Sequence, residues 1–268
     1  MKITWANGSL WDMTGRATIT TFIGAGGKTT CLQTLAQEIS SYGLQVIATT
    51  TTKVFPEQQM NGWRSPYSPP YPQEGACFWY VESEDRYGKW IGPSVVAVDA
   101  AIHEDLQLER KGRFWVIEGD GARGLRLKCW GPNEPQIPRR SDCVVLVLDG
   151  NLWGEVLQAD QVHRPERCPD LWGHVWHAER AWDYFLRSPI FAREYMQMSW
   201  VILLNRSGED IENQNVLARS DSLHPLKALS QRWTEINGTA ENPGNRPRHL
   251  RLVVGDAKEG KLQWCDLW

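Results

Sequence analysis

The sequence predicts an α/β fold, a mainly parallel sheet flanked by helices. Three observations carry this reading: several apolar runs that are continuous, amphipathic helical stretches between them, and a glycine-rich loop that joins the first run to the first helix. Strands covered on both faces read as continuous Val/Ile/Leu runs. Strands that alternate with helices build a parallel sheet. Residues 1–268 read as one such domain, with a long lid or hairpin inserted near residues 56–92.

The elements follow in chain order. Residues 18–23 are β-branched and apolar, a buried strand that Gly24 to Gly27 break. From Lys28, the residues Leu32, Leu35, Ala36 and Ile39 recur at spacings of three and four, a helix closed by Gly43. Leu44 to Ala48 form the second strand and complete a βαβ unit. After Thr49 to Lys53 comes Pro56 to Gly75, with five prolines between Pro56 and Pro72, which reads as a surface excursion or lid. Cys77–Val81 and Lys89–Ile91 read as the short strands of a hairpin, and Val95–Leu108 as a helix. Phe114–Ile117, Cys143–Leu148 and Val201–Leu204 are further strands, and Ala178–Tyr195 is a long amphipathic helix. Asn237–Arg248 reads as a loop, before a last strand at Leu250–Val254.

Composition narrows the function classes. The chain is 41% hydrophobic and 23% charged, enough for a sizeable core. Its 29 Lys+Arg against 32 Asp+Glu leave a net charge of −3, which argues against a nucleic-acid binder. No apolar run approaches the roughly 18 residues of a membrane span, and Met1–Arg16 lacks the apolar stretch of a secretory signal. The six cysteines are far apart, without Cys-x-x-Cys, so zinc, iron–sulfur and disulfide scaffolds are poor readings and a reducing cytoplasm is expected. Fifteen Trp recur with no fixed period. Filling of core and subunit surfaces explains them, with a stacking platform for a ligand ring as the alternative.

The strongest local pattern is Phe22-Ile23-Gly24-Ala25-Gly26-Gly27-Lys28-Thr29-Thr30. A P-loop reads Gly-x-x-x-x-Gly-Lys-Ser/Thr between a strand and a helix. Gly27-Lys28-Thr29 fits; Phe22 replaces the first glycine, while Gly24 and Gly26 lie inside the loop. Glycines let backbone N–H groups turn toward phosphate, and the helix N-terminus adds partial positive charge. Gly24, Ala25, Gly26, Gly27, Lys28, Thr29 and Thr30 are therefore expected to hold ATP or GTP, in a P-loop NTPase-like fold. Lys28 reaches the β- and γ-phosphates and stabilises charge on the transferred group, and Thr29 ligates Mg²⁺.

Glu118 and Asp120 follow the strand Phe114–Ile117 and, at i and i+2, point to one side. Glu118 is expected on Mg²⁺ and Asp120 on the attacking water or substrate; a capped turn is the alternative. Arg123, Arg126 and Lys128 then form either an anion site, with Arg123 and Lys128 on a second substrate, or a solvated charge run. Thr49–Thr52 and Lys53 lie at the carboxyl edge where open sheets bind ligands. Thr51, Thr52 and Lys53 are expected on a γ-phosphate or second substrate, unless the threonines merely continue the strand. Asn205 ends a strand where it reads a base edge or starts a turn, but the guanine-specific Lys and Asp do not follow. His163 and Arg164 precede Pro165 in a loop, placed to touch a substrate or anion, or else solvated. His174 and His177 have helical spacing but no third ligand, so no metal site is read there.

Three segments together resemble the YqeC family, proteins named as accessory factors for selenium-dependent molybdenum hydroxylases. They are Gly24–Thr30, Thr49–Pro56 and Glu118–Leu125, the last continuing through Lys128 into Glu134–Pro138. Val162–Glu166 and Leu203–Asn205 add to the likeness, which runs from about residue 17 to about residue 255. Gly119 stands where the family's acidic motif usually has Ala, and Asn61–Gly75 looks longer than usual. The resemblance implies a nucleotide-binding accessory protein in hydroxylase maturation, with the molybdenum hydroxylase or its cofactor as partner. It brings no assigned catalytic residue. The loop also looks like that of Mur-type ATP-dependent ligases, which lack the first glycine, place a strand-end Glu on Mg²⁺ and activate a carboxylate as an acyl phosphate. Three functions are thus expected: a Mg²⁺-dependent ATP or GTP hydrolase or phosphoryl-transfer factor, a ligase-like activator of a carboxylate, or a non-catalytic nucleotide-gated carrier or chaperone.

Overall fold

The apolar runs anticipated above become strands of one sheet in a computed structural model that describes residues 4–56, 59–84, 88–110, 112–206, 223–237 and 245–268. The first half contains β1 (Trp5–Gly8), α1 (Leu10–Met13), β2 (Ile19–Gly24), α2 (Lys28–Ser41), β3 (Gln45–Thr50), β4 (Lys53–Val54), β5 (Asn61–Arg64), β6 (Ala76–Tyr80), β7 (Glu82–Ser83), β8 (Trp90–Ile91) and α3 (Val95–Gln107). The second contains β9 (Arg113–Glu118), β10 (Leu127–Lys128), β11 (Cys143–Asp149), β12 (Val162–His163), α4 (Ala178–Arg187), β13 (Ser199–Asn205), α5 (His224–Asn237), β14 (His249–Asp256) and β15 (Lys261–Asp266). Ten strands form the main sheet in the order β1-β15-β14-β13-β11-β2-β9-β3-β6-β5, and only β15 runs against its neighbours. Two small sheets, β10-β12 and β4-β8-β7, sit outside it.

Alternation along β2 sends Phe22 to one face and Ile23 to the other. Phe22 packs with Leu10 and Trp11 of α1 and Leu32 and Leu35 of α2. Ile23 faces the core that holds Tyr184 and Phe185 of α4 and Leu229 and Trp233 of α5, while Val98 and Ile102 of α3 cover Ile19 and Trp115. Both faces are thus covered, which is why every residue of β2 is buried. Trp79, Trp115, Trp176, Trp182 and Trp200 are among the largest fully buried side chains, in line with core filling.

The chain leaves β2 toward β3 on one side and leaves β11 toward β13 on the other, although β2 and β11 are neighbours. Such a switch point opens a crevice at the carboxyl ends of the two strands. The glycine-rich loop fills the lip of that crevice.

Several expectations are corrected. The 56–92 segment is no detached lid: β6 joins β3 in parallel, and β5 extends the same sheet as its edge. It does contain a hairpin, since β8 runs antiparallel to β7 with Val81 N–H donating to Ile91 O, and β8 pairs on its other side with β4. The helix expected over Ala178–Tyr195 stops at Arg187, where the extended Ser188 and then Pro189 end it. β1 and β15 were not anticipated, nor was α5; Asn237 closes α5, and residues 238–244 of the expected loop lie outside the described residues. Cys129 and Cys168 form a disulfide, although 39 residues separate them, because the chain folds back between β10 and the turn after β12. That pairing is tertiary and has no local spacing to betray it. Among the described residues no helix is long and apolar enough to cross a membrane.

Candidate functional site

The loop after β2 is shaped by close packing. Gly24, Gly26 and Gly27 all have positive φ, at 95°, 83° and 107°. A Cβ on Gly24 would overlap the carbonyl oxygen of Val147, and one on Gly26 would overlap the backbone of Asp149. The loop therefore lies directly on the end of β11, and only glycine fits there. Gly27 is the N-cap of α2 and contributes no side-chain cap. The first-turn N–H groups of a 14-residue helix are left for a ligand.

Lys28 folds back over this loop. Its ammonium donates to the carbonyl oxygen of Gly24 at 2.7 Å and lies 3.3 Å from Asp120 and 3.7 Å from Glu118. The Thr29 hydroxyl donates to Glu118 Oε2 at 2.9 Å. β2 and β9 are adjacent and in register, with Phe22 beside Glu118, so the loop and the strand-end acid are fixed to one another. Burial raises the Glu118 carboxyl above its ordinary value; Lys28 and the Thr29 hydroxyl oppose that rise, and Asp120 adds to it. Thr29 and Glu118 form an oxygen pair suited to a hard cation such as Mg²⁺.

Asp120 has a different place from the one expected. It is fully buried, and both its oxygens accept the Gly24 N–H at 3.1 Å. The Trp130 indole donates to it at 2.7 Å, and Lys128 lies 3.7 Å away. With those partners it braces the loop and does not line the cavity, so it is not poised to orient a water. Trp130 is itself stacked on Tyr184, whose hydroxyl donates to the Lys128 carbonyl.

Lys128 is also turned inward. It is fully buried, donates to the carbonyl oxygen of Gly121, and pairs with Glu134 at 3.1 Å, which in turn pairs with Arg164. The backbone of His163 runs beside Lys128 in the β10–β12 pair. Burial first, then Lys128 and Arg164, hold the His163 imidazole below its ordinary pKa, and its Nδ1 has no hydrogen-bond partner among the described residues. Lys128, His163 and Arg164 thus stand behind the acidic turn and not on the cavity wall. Burial works against ionisation of Glu134, but Lys128 and Arg164 outweigh it and keep the carboxyl below its usual value. A depressed carboxylate adds stability above its unfolded pKa of about 4.3, and that stability is lost as pH falls through the lower folded value. Melting temperature followed from neutral pH down to acid should fall less steeply below about pH 4 in Glu134→Gln than in the wild type, from a lower neutral starting point.

Other expected ligands serve the frame. Thr49 donates to Trp79 O at 2.8 Å, Thr50 to Glu118 O at 3.1 Å, and Thr51 to Gln136 O at 3.2 Å, while Thr52 shares a hydrogen bond with Thr50. These hydroxyls stitch strand ends together, so Thr51 and Thr52 are not offered to a ligand. Asn205 donates to Gly26 O at 2.9 Å and accepts from Ala257 N at 3.0 Å. Its amide is committed to the loop and not to a base edge. Arg126 pairs with Asp149. His177 caps α4.

Lys53, Thr30 and Arg123 do reach the cavity. It measures about 380 Å³ and is lined by the loop from Gly26 to Thr30, by Glu118, by Lys53 to Phe55 with Lys89, and by Gly121 to Leu125. Phe55 is visible in the sequence only as part of the Thr49–Pro56 motif, and Lys89 only as the start of a short strand. Trp130 and Glu134 were visible only as parts of a longer motif.

Known proteins agree with the residues. A family model described as YqeC protein matches residues 20–166, more than half of the chain, which takes in the loop, the acidic turn and Lys128, Trp130, Glu134 and Arg164, but not Tyr184 or Asn205. A protein of Escherichia coli (strain K12) named Uncharacterized protein YqeC is 32% identical over 165 residues, 59% of this chain and 62% of that protein. The chain thus matches less than two thirds of that relative's length. No solved structure matched the chain.

Proposed function

The chain belongs to the YqeC family, and we propose that it is a P-loop protein that binds ATP or GTP with Mg²⁺ at the β2–α2 loop. One observation carries the reading: the Thr29 hydroxyl meets Glu118 at 2.9 Å beside the Lys28 ammonium, over a helix N-terminus with no side-chain cap. Lys28 would leave Gly24 O for the β- and γ-phosphates, and Thr29 with Glu118 would hold the metal. The bound Mg²⁺ would neutralise phosphate charge. The loop N–H groups and Lys28 would do the rest by pre-set electrostatics. On the resemblance set out above, this binding serves maturation of a selenium-dependent molybdenum hydroxylase, by nucleotide hydrolysis or phosphoryl transfer.

A second reading, a nucleotide-gated carrier with little turnover, is favoured by the commitment of Asp120. Glu118 is the only acid on the cavity wall among the described residues, and it is needed for the metal. Little is left to activate a water.

The test is Glu118→Gln, which keeps the shape and removes the charge. Calorimetric titration with and without Mg²⁺ should show the metal's gain in nucleotide affinity reduced by about tenfold, with metal-free affinity held or raised. An unchanged Mg²⁺ effect refutes the metal assignment.

A further inference from the structure

We propose that the outer half of the cavity is a second ligand site, for a phosphate ester carried on a flat apolar body. The inference rests on the nucleotide reading for the inner half, where the glycine loop, Lys28, Thr29 and Glu118 lie.

The outer half has its own chemistry. Lys53, Phe55 and Lys89 line the cavity together with Arg123. The chain as a whole carries −3, yet the cavity wall sets four cations, Lys28, Lys53, Lys89 and Arg123, against the single acid Glu118. Cations lining a concave surface reinforce one another's field and draw in an anion. Lys53 is steadied by Glu84 at 3.0 Å. Lys89 and Arg123 both line the cavity and form no ion pair among the described residues. Arg123 holds φ at 54°, a conformation unfavourable for any residue but glycine. Phe55 is 66% exposed, with the Lys89 ammonium 4.7 Å from its ring centre. An exposed aromatic ring beside a cluster of cations fits a ligand with a planar part next to its charge.

The wall is built to stay in place. Gly92, which follows β8, donates its N–H to Thr52 O at 2.9 Å. Any Cβ there would overlap the carbonyl of Thr50. The small β4-β8-β7 sheet is thereby pinned to the end of β3, and Phe55 and Lys89 keep a fixed distance from the loop. That accounts for a sheet of three two-residue strands, which has no core of its own.

The test uses phenyl phosphate as probe on protein already saturated with adenylyl imidodiphosphate and Mg²⁺, so that the γ-phosphate position is filled. Calorimetry should show saturable phenyl phosphate binding to the wild type, tighter than inorganic phosphate. Lys89→Ala and Arg123→Gly should each weaken it by about tenfold, with nucleotide affinity changed by less than about twofold. Phe55→Ala should bring phenyl phosphate and inorganic phosphate to the same affinity. Arg123→Gly should also raise the melting temperature, because glycine relieves the backbone, so weaker binding cannot be ascribed to misfolding. Absence of saturable phenyl phosphate binding to the nucleotide complex overturns the inference. So does an equal loss of nucleotide and phenyl phosphate affinity in the variants, which would assign these cations to the nucleotide itself. Failure of the wild type to bind adenylyl imidodiphosphate would be a separate result: the titration is then run on the guanylyl imidodiphosphate complex, and failure to bind either analogue refutes the nucleotide reading and removes the basis of this one.

Discussion

Lys28→Ala should weaken ATP and GTP binding by about 100-fold or more, since it removes a charge-assisted contact made to phosphate from a buried position. The same change should also lower the stability of the free protein. Lys28 is 5% exposed and lies against both Glu118 and Asp120. Removing it leaves Asp120 with Lys128 and leaves Glu118 without an ion-pair partner among the described residues, and breaking a buried pair of this kind costs about 3–5 kcal/mol. Calorimetry well below the melting temperature separates the two effects. Lys28→Ala with wild-type nucleotide affinity would rule out the phosphate role. Wild-type stability would show that the carboxylates do not depend on this ammonium.

Asp120→Ala should be the most destabilising single change near the site, again by about 3–5 kcal/mol, or roughly 10 °C in melting temperature. Four groups lose their common partner: the Gly24 N–H, the Trp130 indole, Lys28 and Lys128. Asp120→Asn keeps the shape and one acceptor and should lose less. Chemical denaturation reads both. A loss below about 1 kcal/mol in Asp120→Ala would mean that the buried charges rearrange freely and that Asp120 does not hold the loop.

The sequence showed the parts whose causes are local. The β2 run, the glycines, and the Leu32, Leu35, Ala36 and Ile39 stripe placed the first βαβ unit within a residue or two of its observed bounds. Glu118 and Lys28 were legible because strand end and loop type suffice to bring them together. The burial of Asp120 was not legible, because it depends on Trp130 and Lys128, which arrive from a turn and a two-residue strand whose position no periodicity reports. The partners of Thr51, Thr52 and Asn205 were hidden for the same reason: Thr51 and Asn205 meet backbone groups of a neighbouring segment and of the loop, and Thr52 meets the Thr50 hydroxyl. Lys89 and Phe55 reach the cavity through the pairing of β4 with β8, across the 34 residues of proline-broken chain between Phe55 and Trp90. β15 did have a local signal, the alternation of Leu262 and Trp264, but its hairpin with β14 lacks a strong turn dipeptide.

The most direct test of the central claim is the thermal unfolding of the wild-type protein with ATP and with GTP, each with and without Mg²⁺. A ligand that binds only the folded state adds about 2.7 kcal/mol of stability at 100 times its dissociation constant. The account predicts that at least one nucleotide raises the melting temperature saturably and that Mg²⁺ enlarges the rise. A melting temperature that neither nucleotide moves at millimolar concentration, with or without the metal, would contradict it.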